Sequence, residues 1–434
     1  MKPIFDFSKS YSGAIDYETE SYPCNLTFEN DKIVFALVRP ENSLCTDRAM
    51  NSFSGYISTE NGIMNFLATD AFQTMGSSNW RSYANAQYQA NSLVITIENN
   101  DIHNSNFAQV NIEYDNIDQI GLLCWTEIDQ DLQTPTFKLM RSFEELQIQE
   151  APNSIILNNY VSYLQRYSSQ NILSLNSQPF ISYLPKECLT AQEFGSVIIR
   201  FSHFLQLLFS IRQQVSSVYL FQDPVPGEGN GASPFYFFNQ DIIKAFRESY
   251  TRKNIHPPFN IEDIENIDLL FLSWDKFTSS QRRISRLYFG EINSKEYVRD
   301  DRFKNFCSII QGLEAFGNLT NIPRVKGEMN AKLRKATSPE LETLLFGDGK
   351  SLFMEKLFEI IGVQRDHYQH LNKPLRFDLN ENPQDMITIN AVLQAIIRYH
   401  LLKAIGLDQQ KIDKIILIDV NYFKGKLKFL ASRI

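Results

Sequence analysis

Residues 365–370 read RDHYQH and place two of the chain's six histidines just downstream of an arginine. Asp366 and His370 are i and i+4, so in a helix they share a face and can touch. A carboxylate in that position fixes the imidazole tautomer and raises its basicity. Arg365 and His370 are five apart, about 140° around a regular helix, and do not share a face. They meet only through the reach of the Arg side chain, a distorted last turn, or a cleft shared by two copies across a dimer axis. An Arg and a His without a metal-ligand cluster beside them suit the cleavage of RNA through its own 2′-OH. The histidine takes the 2′-OH proton or protonates the leaving 5′-oxygen. The guanidinium holds the charge that builds on the phosphorane-like transition state. No metal is required, and DNA, which lacks the 2′-OH, cannot react this way. His367 reads as a solvated side chain, at most an auxiliary group.

These residues need a helix to carry them. In SLFMEKLFEIIGVQRDHYQH the apolar positions Phe353, Leu357, Ile360 and Ile361 form a stripe that reaches Gln364 and Tyr368, so the apolar face turns polar where the motif begins. Pro374 discourages helix beyond about Asn372. Upstream, LLFLSWDKFTSSQRRISRLYFG predicts one helix. YVRDDRFKNFCSIIQGLEAFGN predicts a second, with Phe303, Phe306, Ile310, Leu313 and Phe316 in one stripe. PELETLLFG is a short helix, and MITINAVLQAIIRYHLLKAIG (386–406) is the last long one, stopped at Gly406. The tail KGKLKFLASRI adds a strand or a short helix. Four or five helices with short links predict an antiparallel bundle. His400 sits on the stripe of the last long helix as a core histidine. Arg282, Arg283 and Arg286, with Lys276, either track a phosphate backbone or form a solvated helix face.

The earlier chain reads differently. KIVFALV (32–38), SLVITIEN (92–99) and FAQVNIEYDNI (107–117) are β-branched and aromatic, the last with Val110, Ile112 and Tyr114 alternating. Breaks such as STENGI separate them. An antiparallel sandwich or open barrel over about residues 1–150 is the expected result. Residues 151–270 are mixed, with His203 on the apolar helical stretch FSHFLQLLFSIRQQ as a satisfied core histidine. In QDPVPGEGNGASP, Gly227, Gly229 and Gly231 form a flexible connection without the strand and helix that a phosphate cradle needs.

Charge divides the same way. Residues 1–150 hold 8 Lys+Arg against 21 Asp+Glu, whereas residues 275–434 hold 26 against 19. The two ends therefore expect different partners, and the basic end either faces a polyanion or is simply solvated. The five cysteines (Cys24, Cys45, Cys124, Cys188, Cys307) are scattered, as suits buried thiols in a reducing compartment. No apolar run approaches a membrane span and the opening MKPIFDFSKSYSG lacks a signal-like apolar region. No His/Asp/Glu cluster has ligand spacing, so a metal-dependent hydrolase is weakly supported.

The R-D-x3-H motif at the end of a helix in a C-terminal bundle resembles the HEPN superfamily of ribonucleases. The stretch RLYFGEIN…YVRDDRFKNFCSIIQGLEAF, the motif RDHYQH and the closing LLKAIGLD look like the ApeA-type HEPN domain. The stretch SGAIDYETESYPCNLTFENDKIVFAL is similar to the strand-rich domain that precedes HEPN in ApeA-like anti-phage proteins. The resemblance implies an α+β multidomain chain: a strand-rich sandwich- or barrel-like domain over 1–150, a mixed extension over 151–270, and an all-α HEPN bundle over 271–434. It implies a metal-independent, cofactor-free endoribonuclease of anti-phage defence. Arg365, Asp366 and His370 are then the catalytic set, in a site composed by a homodimer. RNA is the implied substrate, the cytoplasm the location, and a phage-derived trigger a partner for the N-terminal domain. The alternative is a catalytically silent HEPN-like dimerisation or binding module with a partner-sensing sheet domain. The tyrosine that follows the motif histidine in some HEPN toxins, and is modified there, is absent.

Overall fold

The computed structural model describes residues 9–17, 20–29, 32–40, 52–60, 62–79, 83–96, 102, 106–114, 126–129, 136–139, 153–166, 173–210, 215–223, 234–240, 242, 259–294, 298–315, 329–347, 351–370 and 382–434. The chain divides into two compact units, Met1–Ser202 with Gln213–Asn254, and His203–Arg212 with Ile255–Ile434.

The first unit is built on β1 (Tyr11–Tyr17), β2 (Glu20–Glu29), β3 (Lys32–Pro40), β4 (Ser52–Thr59), β5 (Gly62–Thr69), β6 (Phe72–Asn79), β7 (Tyr83–Ala90), β8 (Ser92–Thr96) and β9 (Gln109–Tyr114). It continues with β10 (Thr126–Asp129), β11 (Thr136–Leu139), β12 (Asn153–Arg166), β13 (Leu173–Pro185), helix α1 (Ala191–Phe209), whose residues from His203 on belong to the second unit, β14 (Val215–Phe221) and β15 (Phe235–Asn239). Among the described residues, thirteen strands form one sheet in the order β12-β13-β9-β14-β15-β8-β5-β4-β1-β2-β3-β7-β6, while β10 and β11 pair on their own. The STENGI break is the β4–β5 hairpin, with Gly62 at φ +115° where a Cβ would be strained.

Ring contacts show the sheet's curvature. Phe35 on β3 lies 4.9 Å from Phe53 on β4 and stacks at 5.1 Å on Phe66 of β5. Strands β5 and β3 are four places apart in the sheet order, which in a flat sheet would separate them by about 19 Å. The antiparallel sheet therefore folds over on an aromatic core. Strands β1 and β4 pair directly, with Gly13 opposite Ile57. A Cβ on Gly13 would meet the Tyr56 carbonyl at 1.9 Å, so only glycine fits there.

Two sequence expectations change in this unit. Strands β12 to β15 enter the same sheet, so the strand-rich fold runs well past residue 150. Both faces of β9 are buried, not just that of Val110, Ile112 and Tyr114. The other face is a bonded polar row in which Ser182 and Gln109 donate to the Asn111 Oδ1 at 2.8 and 2.7 Å. Gly227, Gly229 and Gly231 lie outside the described residues.

The second unit is helical: α2 (Ile267–Ser280), α3 (Arg282–Asn293), α4 (Arg299–Ala315), α5 (Met329–Ala336), α6 (Pro339–Phe346), α7 (Ser351–His370), α8 (Pro383–Ala404) and α9 (Gln409–Ala431). The stretch expected to be one helix splits into α2 and α3 at Gln281, whose φ/ψ of −122/39 is non-helical. Hydroxyls compete for the backbone just there: Thr278 Oγ1 donates to the Asp275 carbonyl and Ser280 Oγ to that of Phe277, both at 3.0 Å.

Helix α8 is buried nearly all round, as expected of a central helix, and stops at Gly406 with φ +85°. It is not the last long helix. Asp408 caps α9 by accepting from the Gln410 and Lys411 amides, and Ile412, Ile416, Val420, Phe423 and Leu427 bury at helical spacing. The tail KGKLKFLA is therefore helical.

Arg398, 3% exposed on α8, ties down the end of α1. Its Nε donates to the Leu207 carbonyl at 2.8 Å, and its Nη1 bonds both Asp419 oxygens at 2.9 and 2.8 Å as well as Ser210 Oγ. The arginine satisfies a carbonyl that the helix terminus would leave orphaned.

Candidate active site

Of the expected stripe of α7, Leu357, Ile361 and Gln364 are buried and Phe353, Ile360 and Tyr368 half-buried, with Met354 and Phe358 buried beside it. Gln364 is fully buried, and neither its amide nitrogen nor its oxygen has a hydrogen-bond partner among the described residues. The next residue, Arg365, is partly buried, and its Nη1 donates to Asp366 Oδ1 at 3.1 Å. Neighbouring helix residues do not normally face each other. The long guanidinium side chain reaches back to close this contact. The helix runs on through His370, but the side chains of Gln369 and His370 lie outside the described residues, and with them the expected Asp366–His370 contact.

Helix α4 packs along this end of α7. Tyr368 lies 5.9 Å from the ring of Phe303 and beneath the Lys304 ammonium, 5.0 Å from its centroid. Lys304 also donates to Asp301 at 3.4 Å. A buried thiol, Cys307, sits close enough to feel Arg365: burial pushes it up to about 12, and the guanidinium charge opposes that rise. The ring of His367 meets Tyr368 at 6.0 Å.

Lys304 also lines an open cavity of about 340 Å³ with Glu291, Ser294, Val298, Asp301 and Asn305. Its wall is braced by Asn305 donating to Glu291 at 2.5 Å. Through the Tyr368–Lys304 contact, the end of the motif thus adjoins a residue that lines this polar hollow. Lys304, Tyr368 and Gln364 were not candidates from spacing alone. Only the α4–α7 packing joins Lys304 to the motif, although Tyr368 and Gln364 already lay on the continued stripe.

The other sequence candidates fall elsewhere. Arg282, Arg283 and Arg286 are exposed on the outer face of α3, near its start. Nine residues of helix, about 13 Å, separate Arg282 from the cavity residue Glu291. His400 is a core histidine, 4% exposed, with Nε2 2.6 Å from the Ala336 carbonyl. Burial lowers it to about 4. His203 is half-buried rather than in the core, stacked on Phe289 at 4.0 Å. Cys24 and Cys307 are buried as expected. Cys188 is exposed, and Cys45 and Cys124 lie outside the described residues. Phe316 of the α4 stripe is also outside them.

Among the described residues no group of three His, Cys, Asp or Glu could hold a metal ion, and no helix is long and apolar enough to cross a membrane. Comparison with family models, curated proteins and solved structures finds no match.

Proposed function

We propose that the helical unit is a metal-independent endoribonuclease of HEPN type, with Arg365 and His370 as its chemical groups. The observation that carries this reading is the packed end of α7. Arg365 is held there by Asp366 at 3.1 Å, five residues before His370 and on the same helix end whose Tyr368 packs under Lys304 of the hollow. In the proposed reaction the substrate 2′-oxygen attacks the adjacent phosphorus as its proton leaves, and the bond to the 5′-oxygen breaks. The products are a 2′,3′-cyclic phosphate and a 5′-hydroxyl. His370 moves the proton, either from the nucleophile or to the leaving oxygen. Arg365 stabilises the charge on the non-bridging oxygens, and Asp366 orients its guanidinium.

Because one regular helix turns Arg365 and His370 apart, the reading includes a site composed by two protomers. Phage defence through RNA cleavage, a cytoplasmic location and a trigger sensed by the sheet-bearing unit come with the family resemblance.

The test is cleavage of total RNA and of defined oligonucleotides by the full chain. His370→Ala should lower the rate by about 10²–10⁴-fold and Arg365→Ala by about 10²–10³-fold, with urea-unfolding midpoints unchanged. Cleavage should survive EDTA and leave cyclic phosphate ends. Full activity in both variants, or 3′-hydroxyl products only, would remove this assignment and leave the binding-module alternative.

A further inference from the structure

Helix α9 has two faces of opposite character. Its apolar face is spent inside the helical unit. The other is outward: Tyr422 is 73% exposed and Phe429 57% exposed, Lys426 is exposed beside them, and Lys424, Gly425 and Lys428 are exposed farther around the helix. Residues 420–434 contain no Asp or Glu, and none of the three lysines has an acidic partner among the described residues.

Tyr422 and Phe429 are seven residues apart, so they lie about 20° apart around the helix and about 10 Å apart along it. Lys426 sits between them, its ammonium 5.6 Å from the Tyr422 centroid. At Gly425 a Cβ would meet nothing within 4 Å. Glycine inside a helix costs about 1 kcal/mol relative to alanine, and here it leaves bare backbone between the two rings.

We propose that this face of α9 is a docking surface for single-stranded nucleic acid. Exposed rings spaced by cations are what such strands use: bases stack on the rings while lysines follow the phosphates. Charge complementarity selects this occupant. A second copy would set lysine against lysine without an intervening acid, which is repulsive. A bilayer requires an apolar helix face, and that face is already buried. Stacking and phosphate contacts do not read the 2′-OH, so the surface takes RNA and DNA strands alike. The proposal deepens the ribonuclease reading and rests on it only for the choice of RNA as the natural strand.

The test uses the full chain in a His370→Ala background, titrated against a fluorescein-labelled uridine 12-mer, its DNA counterpart and a duplex RNA. Both single strands should bind more tightly than the duplex. The triple change Lys424→Gln, Lys426→Gln, Lys428→Gln should weaken binding by more than about tenfold at low salt and flatten the slope of log affinity against log salt by about 2. Tyr422→Ser and Phe429→Ser should each weaken it by about 5- to 100-fold. These side chains are solvent-facing, so unfolding midpoints should not move.

Unchanged strand affinity in all three variants overturns the proposal. So does binding of the parent to phosphatidylserine vesicles without strand binding, or a dimer that the triple change splits while strand binding persists. Lysine-dependent binding in a chain that cleaves nothing would refute the ribonuclease reading and keep this surface. Cleavage with variant-insensitive binding would do the reverse.

Discussion

Acid should weaken the helical unit through one histidine, His400, and the effect can be separated from catalysis. A carbonyl can only accept, so the 2.6 Å contact with Ala336 means that His400 Nε2 carries the proton. Its Nδ1 is buried without a hydrogen-bond partner among the described residues. Charging the ring would put a proton on that nitrogen in the core. The folded imidazole therefore titrates at about 4, whereas an unfolded one titrates near about 6.5.

Between these values the unfolded chain holds a proton that the folded chain refuses. Stability falls as pH drops through that window and levels off below about pH 4. The gap corresponds to about 3 kcal/mol in total, of which about 2 kcal/mol goes between pH 7 and pH 5.

Urea unfolding at the two pH values, with constant m, measures this directly. His400→Gln keeps an N–H donor for the Ala336 carbonyl but cannot titrate. The variant should lose about 2 kcal/mol less than the parent over the same interval. Equal acid losses in the two proteins would show that His400 is not held neutral.

Gln364→Met replaces a fully buried amide lacking bonds to the described residues with a similar-sized apolar chain. It should stabilise the unit by about 1–3 kcal/mol in the same urea assay, and a loss of stability would reveal that the amide has a partner. Arg398→Met should cost about 3–5 kcal/mol, because it strands Asp419 and the Leu207 carbonyl. Arg398→Lys should not restore it, since one ammonium lacks the fork that serves both acceptors, and a fully stable lysine variant would refute that account.

Much of this was legible locally. Strands β3, β8 and β9 and helices α4, α7 and α8 follow from apolar periodicity, and Gly406 reads as a stop, while Pro374, the expected limit of α7, lies outside the described residues. What escaped was set by partners far along the chain. The entry of β12 to β15 into the first sheet depends on pairings such as Ile112 with Ile181. The attachment of residues 203–212 to the helical unit depends on Arg398, 191 residues from Leu207. Helix α9 was missed for a local reason. Gly425 and four cations in ten residues, Lys424–Arg433, left the tail as a strand or a short helix, whereas the buried Phe423 and Leu427 carry one long helix through it.

The candidate site divides between what is legible and what is not along the same line. R-D-x3-H is visible in one dimension, but its neighbours decide how the charges are used. Arg365 is tethered to Asp366, so a phosphate must compete with a carboxylate at 3.1 Å. Lys304 is likewise shared with Asp301. Cations already engaged in this way supply less ground-state binding than free ones. A tethered arginine contributes most when charge on the phosphate increases, which is what a catalytic rather than a merely adhesive group requires. The lysines of α9 are in the opposite condition, unpaired with any acid among the described residues and able to bind ground state and transition state equally. On the proposed reading, affinity and chemistry therefore belong to different helices: α9 holds the strand, and the end of α7 discriminates the transition state.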